Sequence, residues 1–247
     1  MQWQIIHLTE TESTNTYARE NILQLQLPCF IYADYQTKGR GQGNTSWYSD
    51  SQKNLLCSIV LPIYLPINKN NYISRWISIV LSELLISLQI PPQQIKIKWP
   101  NDILVHSTNG FKKIAGILIE NIIEKNNVTK SILGIGLNIN QTDFQQLNKT
   151  ATSLALITNQ NYHIHNITEK LMYHINKYYP LIELQQFSAI NQKYLEYLYG
   201  WQSDFIFKYQ QEILKGQIID LNDDGTIHLK CNDKTYRFAN KDIEFLY

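Results

Sequence analysis

The stretch Ile95-Lys-Ile-Lys-Trp-Pro-Asn-Asp-Ile-Leu-Val105 decides how this chain folds. Apolar residues alternate with lysine over 95–99, the period of a half-buried strand. Pro100 forces Trp99 to be extended, Pro100-Asn101-Asp102 reads as a turn, and Ile103–Val105 continues as a second strand. Asn109-Gly110 is a strong hairpin signal, and residues 113–123 and 130–139 are two further strands around Asn126-Asn127. Consecutive strands with short turns imply antiparallel pairing. The expected class is α+β, with a mixed, largely antiparallel sheet rather than a doubly wound parallel one.

Working outward, residues 3–9 read as a strand, and Ser13-Thr14-Asn15 opens a helix to about Leu25, since these residue types cap helices well. Cys29–Gln36 is a strand. Leu55–Leu61 is a continuous apolar strand, expected to stop at Pro62. Residues 72–88 form an amphipathic helix with Ile73, Trp76, Ile77, Val80, Leu81, Leu84, Leu85 and Leu88 on its buried face. Helices are expected at 167–179 and 183–199. After Gly200, five short strands separated by Asp223-Asp224-Gly225 and Asn232-Asp233 turns predict a small β-barrel. The expected division is a larger domain over 1–200 and the barrel over 201–247.

Composition narrows the function classes. A 44% hydrophobic content supplies a sizeable core, and 22 basic against 21 acidic residues leave a net charge of +1. No basic stripe appears, so nucleic acid is not the expected partner. The N-terminus has no basic flank and no long apolar run, against a signal peptide. The 72–88 helix carries Arg75, Glu83 and several serines, against a membrane span. Three distant cysteines, Cys29, Cys57 and Cys231, read as buried thiols in a reducing compartment. The expected location is the cytoplasm.

Five segments carry candidate chemistry. Lys98-Trp-Pro-Asn-Asp102 sets Asn101 and Asp102 at a strand end, where their side chains can reach one site; an ordinary Pro-Asn-Asp turn is the plainer reading. Lys38-Gly-Arg-Gly-Gln-Gly-Asn-Thr-Ser-Trp47 follows a strand. Its glycines permit close backbone approach to a ligand, and Arg40 offers a planar fork for carboxylate or phosphate; a flexible surface turn is the plainer reading. Lys113 opens an apolar strand, and strict alternation puts it on the face of Ala115, Ile117 and Ile119. There its ammonium needs an anion, or else snorkels to solvent. Gly116 leaves a gap on the opposite face. Gly134-Ile-Gly136-Leu-Asn138 lacks the third glycine and following helix of a dinucleotide site; its glycines suit close approach by something flat, or a bulge. Ser13-Thr14-Asn15 can cap its helix and face a polar ligand at the positive helix end.

The order and spacing of these motifs are more specific than any one of them. Ser-Thr-Asn, Gln-x-x-Gly-Arg-Gly…Trp, Lys-Trp-Pro-Asn-Asp, Lys-Ile-Ala-Gly-Ile-Leu and Gly-x-Gly-x-Asn, in that order over nearly the whole chain, resemble the biotin protein ligases, and more distantly the lipoate ligases. The resemblance implies a catalytic fold with a small SH3-like C-terminal barrel, of the type without an N-terminal DNA-binding domain. It implies ATP, Mg²⁺ and biotin as the small molecules, biotinyl-5′-AMP as intermediate, and a lysine of the biotin carboxyl carrier protein of acetyl-CoA carboxylase as acceptor. It places Ser13, Thr14, Asn15 and Gln36 around the ureido end of biotin. Gly39, Arg40, Gly41, Gln42, Lys113 and Gly116 fall along biotin, with Arg40 and Lys113 at the carboxylate and α-phosphate. Trp47, Asn101 and Asn138 fall on the nucleotide side. Asp102 is the candidate to orient or deprotonate the acceptor amine, with magnesium near it left open. Many members continue Gly-Arg-Gly with further arginines; here Gln42, Gly43 and Asn44 follow, implying a looser hold on the intermediate. Exposed sheet edges leave a homodimer open.

Overall fold

The structure, a computed structural model, describes every residue except 44, 109, 145–149 and 233. Asn44 of the glycine loop, Asn109 of the expected hairpin and Asp233 of the expected turn therefore lie outside the described residues. The chain begins with β1 (Gln4–Thr11), α1 (Thr14–Glu20), β2 (Cys29–Gln36), β3 (Leu55–Pro66) and α2 (Asn71–Ser87). It continues through β4 (Ile95–Lys98), β5 (Asp102–Ser107), β6 (Gly110–Glu124) and β7 (Asn127–Leu137). Three helices follow, α3 (Leu154–Thr158), α4 (Ile164–Glu183) and α5 (Phe187–Tyr197). These strands build a seven-stranded sheet in the order β1-β2-β3-β7-β6-β5-β4. Among the described strand pairs of this sheet only β1–β2 is parallel, because α1 provides the crossover between them.

The two faces of this sheet differ. One is buried under α2, α4 and α5, around Trp76, Ile73, Leu133, Ile135, Ala115 and Ile117. The other carries α1, whose Ala18 packs on Cys29, Ile31, Val60 and Ile132. Beyond α1 that second face is left open, and the site described below lies on it.

The expected mixed, largely antiparallel α+β class holds, with four local differences. Strand β3 runs through Pro62 to Pro66. Its pairing with β2 ends at Val60, so proline at 62 stands where one side of the strand is free, and the register against β7 shifts between Pro62 and Leu65. Helix α1 ends at Glu20, not near Leu25. The two later helices run over Ile164–Glu183 and Phe187–Tyr197, and Pro180 lies inside the first. The turn between β6 and β7 falls at Lys125 and Asn126, both at positive φ, as a two-residue hairpin loop requires.

The C-terminal strands are β8 (Phe205–Tyr209), β9 (Glu212–Leu221), β10 (Ile227–Cys231), β11 (Lys234–Phe238) and β12 (Glu244–Leu246). They form an antiparallel sheet in the order β11-β10-β9-β8-β12. The expected barrel is corrected here: β11 and β12 are open edges, and the sheet does not close. β12 spans three residues and pairs with β8 alone, too short to bridge to β11. The inner face is sealed by aromatics instead, with Phe205 stacked on Phe245 and Phe238 edge-on to Phe207. Trp99 joins the two sheets, packing near Phe245 and donating its indole N–H to Gly225 O at 3.0 Å. Cys29, Cys57 and Cys231 are buried and free, and burial pushes the Cys29 thiol up to about 11.

Candidate active site

On the open face of the large sheet lies a cavity of about 290 Å³ between α1, the 38–47 loop, the ends of β4 to β7 and the 239–242 turn. Its lining brings together Ser13, Thr14, Asn15, Gln36, Arg40, Gly41, Gln42, Trp47, Asn101, Asp102, Lys113 and Gly116, which lie far apart in sequence.

One end is lined by amides and hydroxyls, backed by the Glu120 carboxylate. Ser13 precedes α1 and makes no side-chain cap bond. Gln36 takes that role: its Oε1 accepts the Thr14 N–H at 2.7 Å and the Thr14 hydroxyl at 3.1 Å. The Asn15 amide is buried. Its Nδ2 donates to Glu120 Oε2 at 3.0 Å and Leu118 O at 3.3 Å, and its Oδ1 accepts from the Ser58 hydroxyl at 2.5 Å. Gly134 makes this possible, because a Cβ there would overlap the Asn15 amide.

The other end is cationic, and a β-bulge creates it. Ile103 pairs with Ala115 but Leu104 with Lys113, so Ile114 is the extra residue. The bulge reverses the alternation expected from sequence. Lys113 therefore shares its face with Gly116, Leu118 and Glu120, not with Ala115, Ile117 and Ile119. Lys113 Nζ lies 2.6 Å from Asp102 Oδ1, and Lys98, across the β4–β5 pair, lies 2.8 Å from Asp102 Oδ2. Asp102 is 6% exposed. Burial alone would raise its pKa, but the Lys113 and Lys98 ammoniums outweigh burial and hold it below the ordinary carboxylate range. A carboxylate so stabilised is a weak base. Both its oxygens face ammoniums, and among the described residues no group of three or more His, Cys, Asp or Glu could hold a metal. Asp102 does not fit as a magnesium ligand in this arrangement.

The 38–47 loop folds back on itself. Trp47 N–H donates to Gly39 O at 2.9 Å, Gly41 N–H donates to Thr45 O at 2.7 Å, and Arg40 bridges Ser46. This drops the Trp47 indole into the cavity, against β6 and β7. A Cβ on Gly136 would overlap the indole, and one on Gly116 would come within 2.9 Å of Cζ3. The flat object that the strand glycines admit is thus the chain's own tryptophan. Lys113 Nζ stands 5.4 Å from its ring centroid, and the indole Nε1 is buried with no hydrogen-bond partner among the described residues. Arg40 turns to the other end, with Nη1 3.2 Å from Glu120 Oε1; Arg19 reaches the same oxygen at 3.3 Å.

Gly39 and Asn138, expected at the site, do not line the cavity. Gly39 is pressed between Trp47 and Gln36. Asn138 is buried, and its amide donates to Thr152 O at 2.9 Å, tying the chain before α3 to the end of β7. Ser58, Glu120, Lys98 and Lys241 belong to the site or its support and were not singled out from sequence. Lys98 lies within a quoted motif, and Glu120 two residues past the end of another. Ser58 sits in an apolar strand and Lys241 far down the chain, with no local signal.

A cavity with an amide-lined end, a paired-lysine end and a glycine loop across it suits a small amphipathic acid and a phosphate. Residues 8–138 match the model of the Biotin/lipoate A/B protein ligase family. That is more than half of the chain, and the chain belongs to this family. The bifunctional ligase/repressor BirA of Bacillus subtilis strain 168 is 28% identical over 239 residues, 96% of this chain and 70% of that protein. The biotin--[acetyl-CoA-carboxylase] ligase of Mycobacterium tuberculosis is 30% identical over 126 residues, 50% of this chain and 44% of that protein. Among solved structures, the biotin protein ligase of Aquifex aeolicus in complex with biotin and ATP superposes with a TM-score of 0.76 at 24% identity, over 98% of this chain and 97% of that one.

Proposed function

We propose that this chain is an ATP-dependent biotin protein ligase. It joins biotin and ATP as biotinyl-5′-AMP with release of diphosphate, then passes the biotinyl group to a lysine amine. The observation that carries this reading is the two-ended cavity, with Asn15, Thr14 and Gln36 at one end and Lys113 beside Asp102 at the other.

The chemistry follows from the geometry. In the first step a carboxylate oxygen attacks the α-phosphorus of ATP, and the bond to the diphosphate oxygen breaks. Two anions must approach, and Lys113 is the preorganised cation for the charge that develops. Asp102 holds that ammonium in place at 2.6 Å, and with both its oxygens turned to lysines it orients the acceptor amine. Magnesium arrives with the nucleotide phosphates as part of the substrate. Trp47 and the loop exclude water, which protects the mixed anhydride from hydrolysis. In the second step the amine attacks the acyl carbon and AMP leaves.

The acceptor is a biotin carboxyl carrier protein, as the M. tuberculosis relative's name supports. Residues 1–200 carry the reaction, and residues 201–247 supply the turn that borders the cavity. Among the described residues no helix is long and apolar enough to cross a membrane, and the free thiols suit the cytoplasm. A second copy would pair through edge strand β1, where Ile5 is 52% exposed. The test is ATP–diphosphate exchange. Exchange that requires biotin supports the reading, and exchange with lipoate or octanoate but not biotin overturns it.

A further inference from the structure

Four cations line the cavity. Arg40 is paired with Glu120, and Lys98 and Lys113 with Asp102. The other cation of the glycine loop, Lys38, is paired with Glu12. Lys241 differs: it has no hydrogen bond or ion pair among the described residues.

Lys241 sits in the turn between β11 and β12. The turn is closed by Asp242 N–H donating to Ala239 O at 3.1 Å, and by Ala239 N–H donating to Asp242 Oδ2 at 2.6 Å. Lys241 is its third residue and has φ = +75°, a position that normally takes glycine or asparagine. Its ammonium lies against Gly43, itself at φ = +67°, so closely that no Cβ fits between them. A lysine with a disfavoured backbone conformation, an unpaired charge and a place on a ligand cavity points to function rather than to folding.

The position of Lys241 indicates its ligand. Gln42, Pro100, Asn101 and Asn240 line both this cavity and a second hollow of about 310 Å³ under the C-terminal sheet. Lys241 follows Asn240 and lines the first cavity at its exposed rim, while Lys113 is on the strand floor beside Gly116. If carboxylate and α-phosphorus meet at Lys113, the rest of the triphosphate runs toward the rim. We propose that Lys241, donated by the C-terminal sheet, binds the β- and γ-phosphates of ATP and so is a nucleotide-binding residue of the adenylation step. This rests on the ligase reading above.

Three variants test it: Lys241→Gln, Lys241→Arg and Lys241→Gly. Lys241→Gln is expected to raise the KM for ATP in biotin-dependent diphosphate exchange about 5- to 10-fold, the scale of one charge-assisted phosphate contact. The KM for biotin stays within about twofold, as does transfer from synthetic biotinyl-5′-AMP to hydroxylamine, since the adenylate has no β- or γ-phosphate. Lys241→Arg restores ATP binding. Lys241→Gly raises the KM for ATP while raising Tm, because glycine relieves the turn; a purely structural lysine cannot give that opposition. An unchanged KM for ATP in both Lys241→Gln and Lys241→Gly, with the wild type active, overturns the inference. Equal losses in exchange and in transfer from the adenylate also overturn it. A wild type without biotin-dependent exchange overturns the ligase reading beneath it.

Discussion

The guanidinium of Arg40 is paired with Glu120, 3.2 Å from Nη1 to Oε1, and so stands apart from Lys113. Gly116, beside the Lys113 ammonium, and Glu120 are four residues apart on β6, about 13 Å of strand. One anion cannot touch both cations in this arrangement; a phosphate at Lys113 must draw Arg40 from Glu120. Glu120→Gln removes that competing charge and keeps an acceptor for Asn15. The expected result is two- to fivefold slower release of biotinyl-5′-AMP, the scale of a partly exposed pair, measured by adenylate dissociation. Faster release would show that Glu120 helps Arg40 hold the ligand.

Lys113→Ala removes the cation from the strand floor. The rate of biotin-dependent ATP–diphosphate exchange is expected to fall about 10²-fold or more, as for loss of one preorganised electrostatic partner. Asp102 keeps Lys98 at 2.8 Å, so the variant should fold. A near-normal exchange rate would remove Lys113 from the mechanism.

The Asp102 pair predicts an acid response. Its pKa is lowered in the folded protein, so the carboxylate contributes stability above its ordinary value near 3.8 and loses that contribution as pH falls further, through the folded value. Asp102→Asn leaves two half-buried ammoniums facing a neutral amide and is expected to cost about 2–3 kcal/mol at pH 7. Tm measured from pH 5 to pH 2 should fall more steeply for the wild type than for Asp102→Asn. Parallel curves would show that the pair adds no net stability.

Gly136 and Trp47 form a fourth test. Gly136→Ala puts a methyl group where the indole lies, so the ring must leave its seat, with a stability loss of about 1–3 kcal/mol. Near-ultraviolet circular dichroism reports the ring. In the Trp47→Ala background, Gly136→Ala should cost much less, and this non-additivity is the signature of direct contact. Additive losses would mean that Gly136 acts on the strand alone.

Much of this arrangement is legible in the residues themselves. Alternation over Ile95–Trp99 and the short turns that follow require antiparallel strands, and the apolar spacing over 72–88 requires a helix with one buried face. The glycine loop, the Lys98–Asp102 motif, Lys113 and Ser13–Asn15 meet in one cavity, because each motif pairs a chemically able side chain with a break in regular structure.

Tertiary structure decided the remainder, where long-range pairing outweighs local pattern. The bulge at Ile114 depends on the register of β6 against β5, so the sequence period alone placed Lys113 on the wrong face. An open or closed C-terminal sheet depends on the length and pairing of β12, which its three residues do not encode alone. Lys113 lies 11 residues from Asp102, Thr152 lies 14 from Asn138 and Glu120 lies 80 from Arg40, and Lys241 reaches the cavity only when the second sheet packs through Trp99. Local chemistry determined which residues can act. Strand register and sheet packing determined which of them meet.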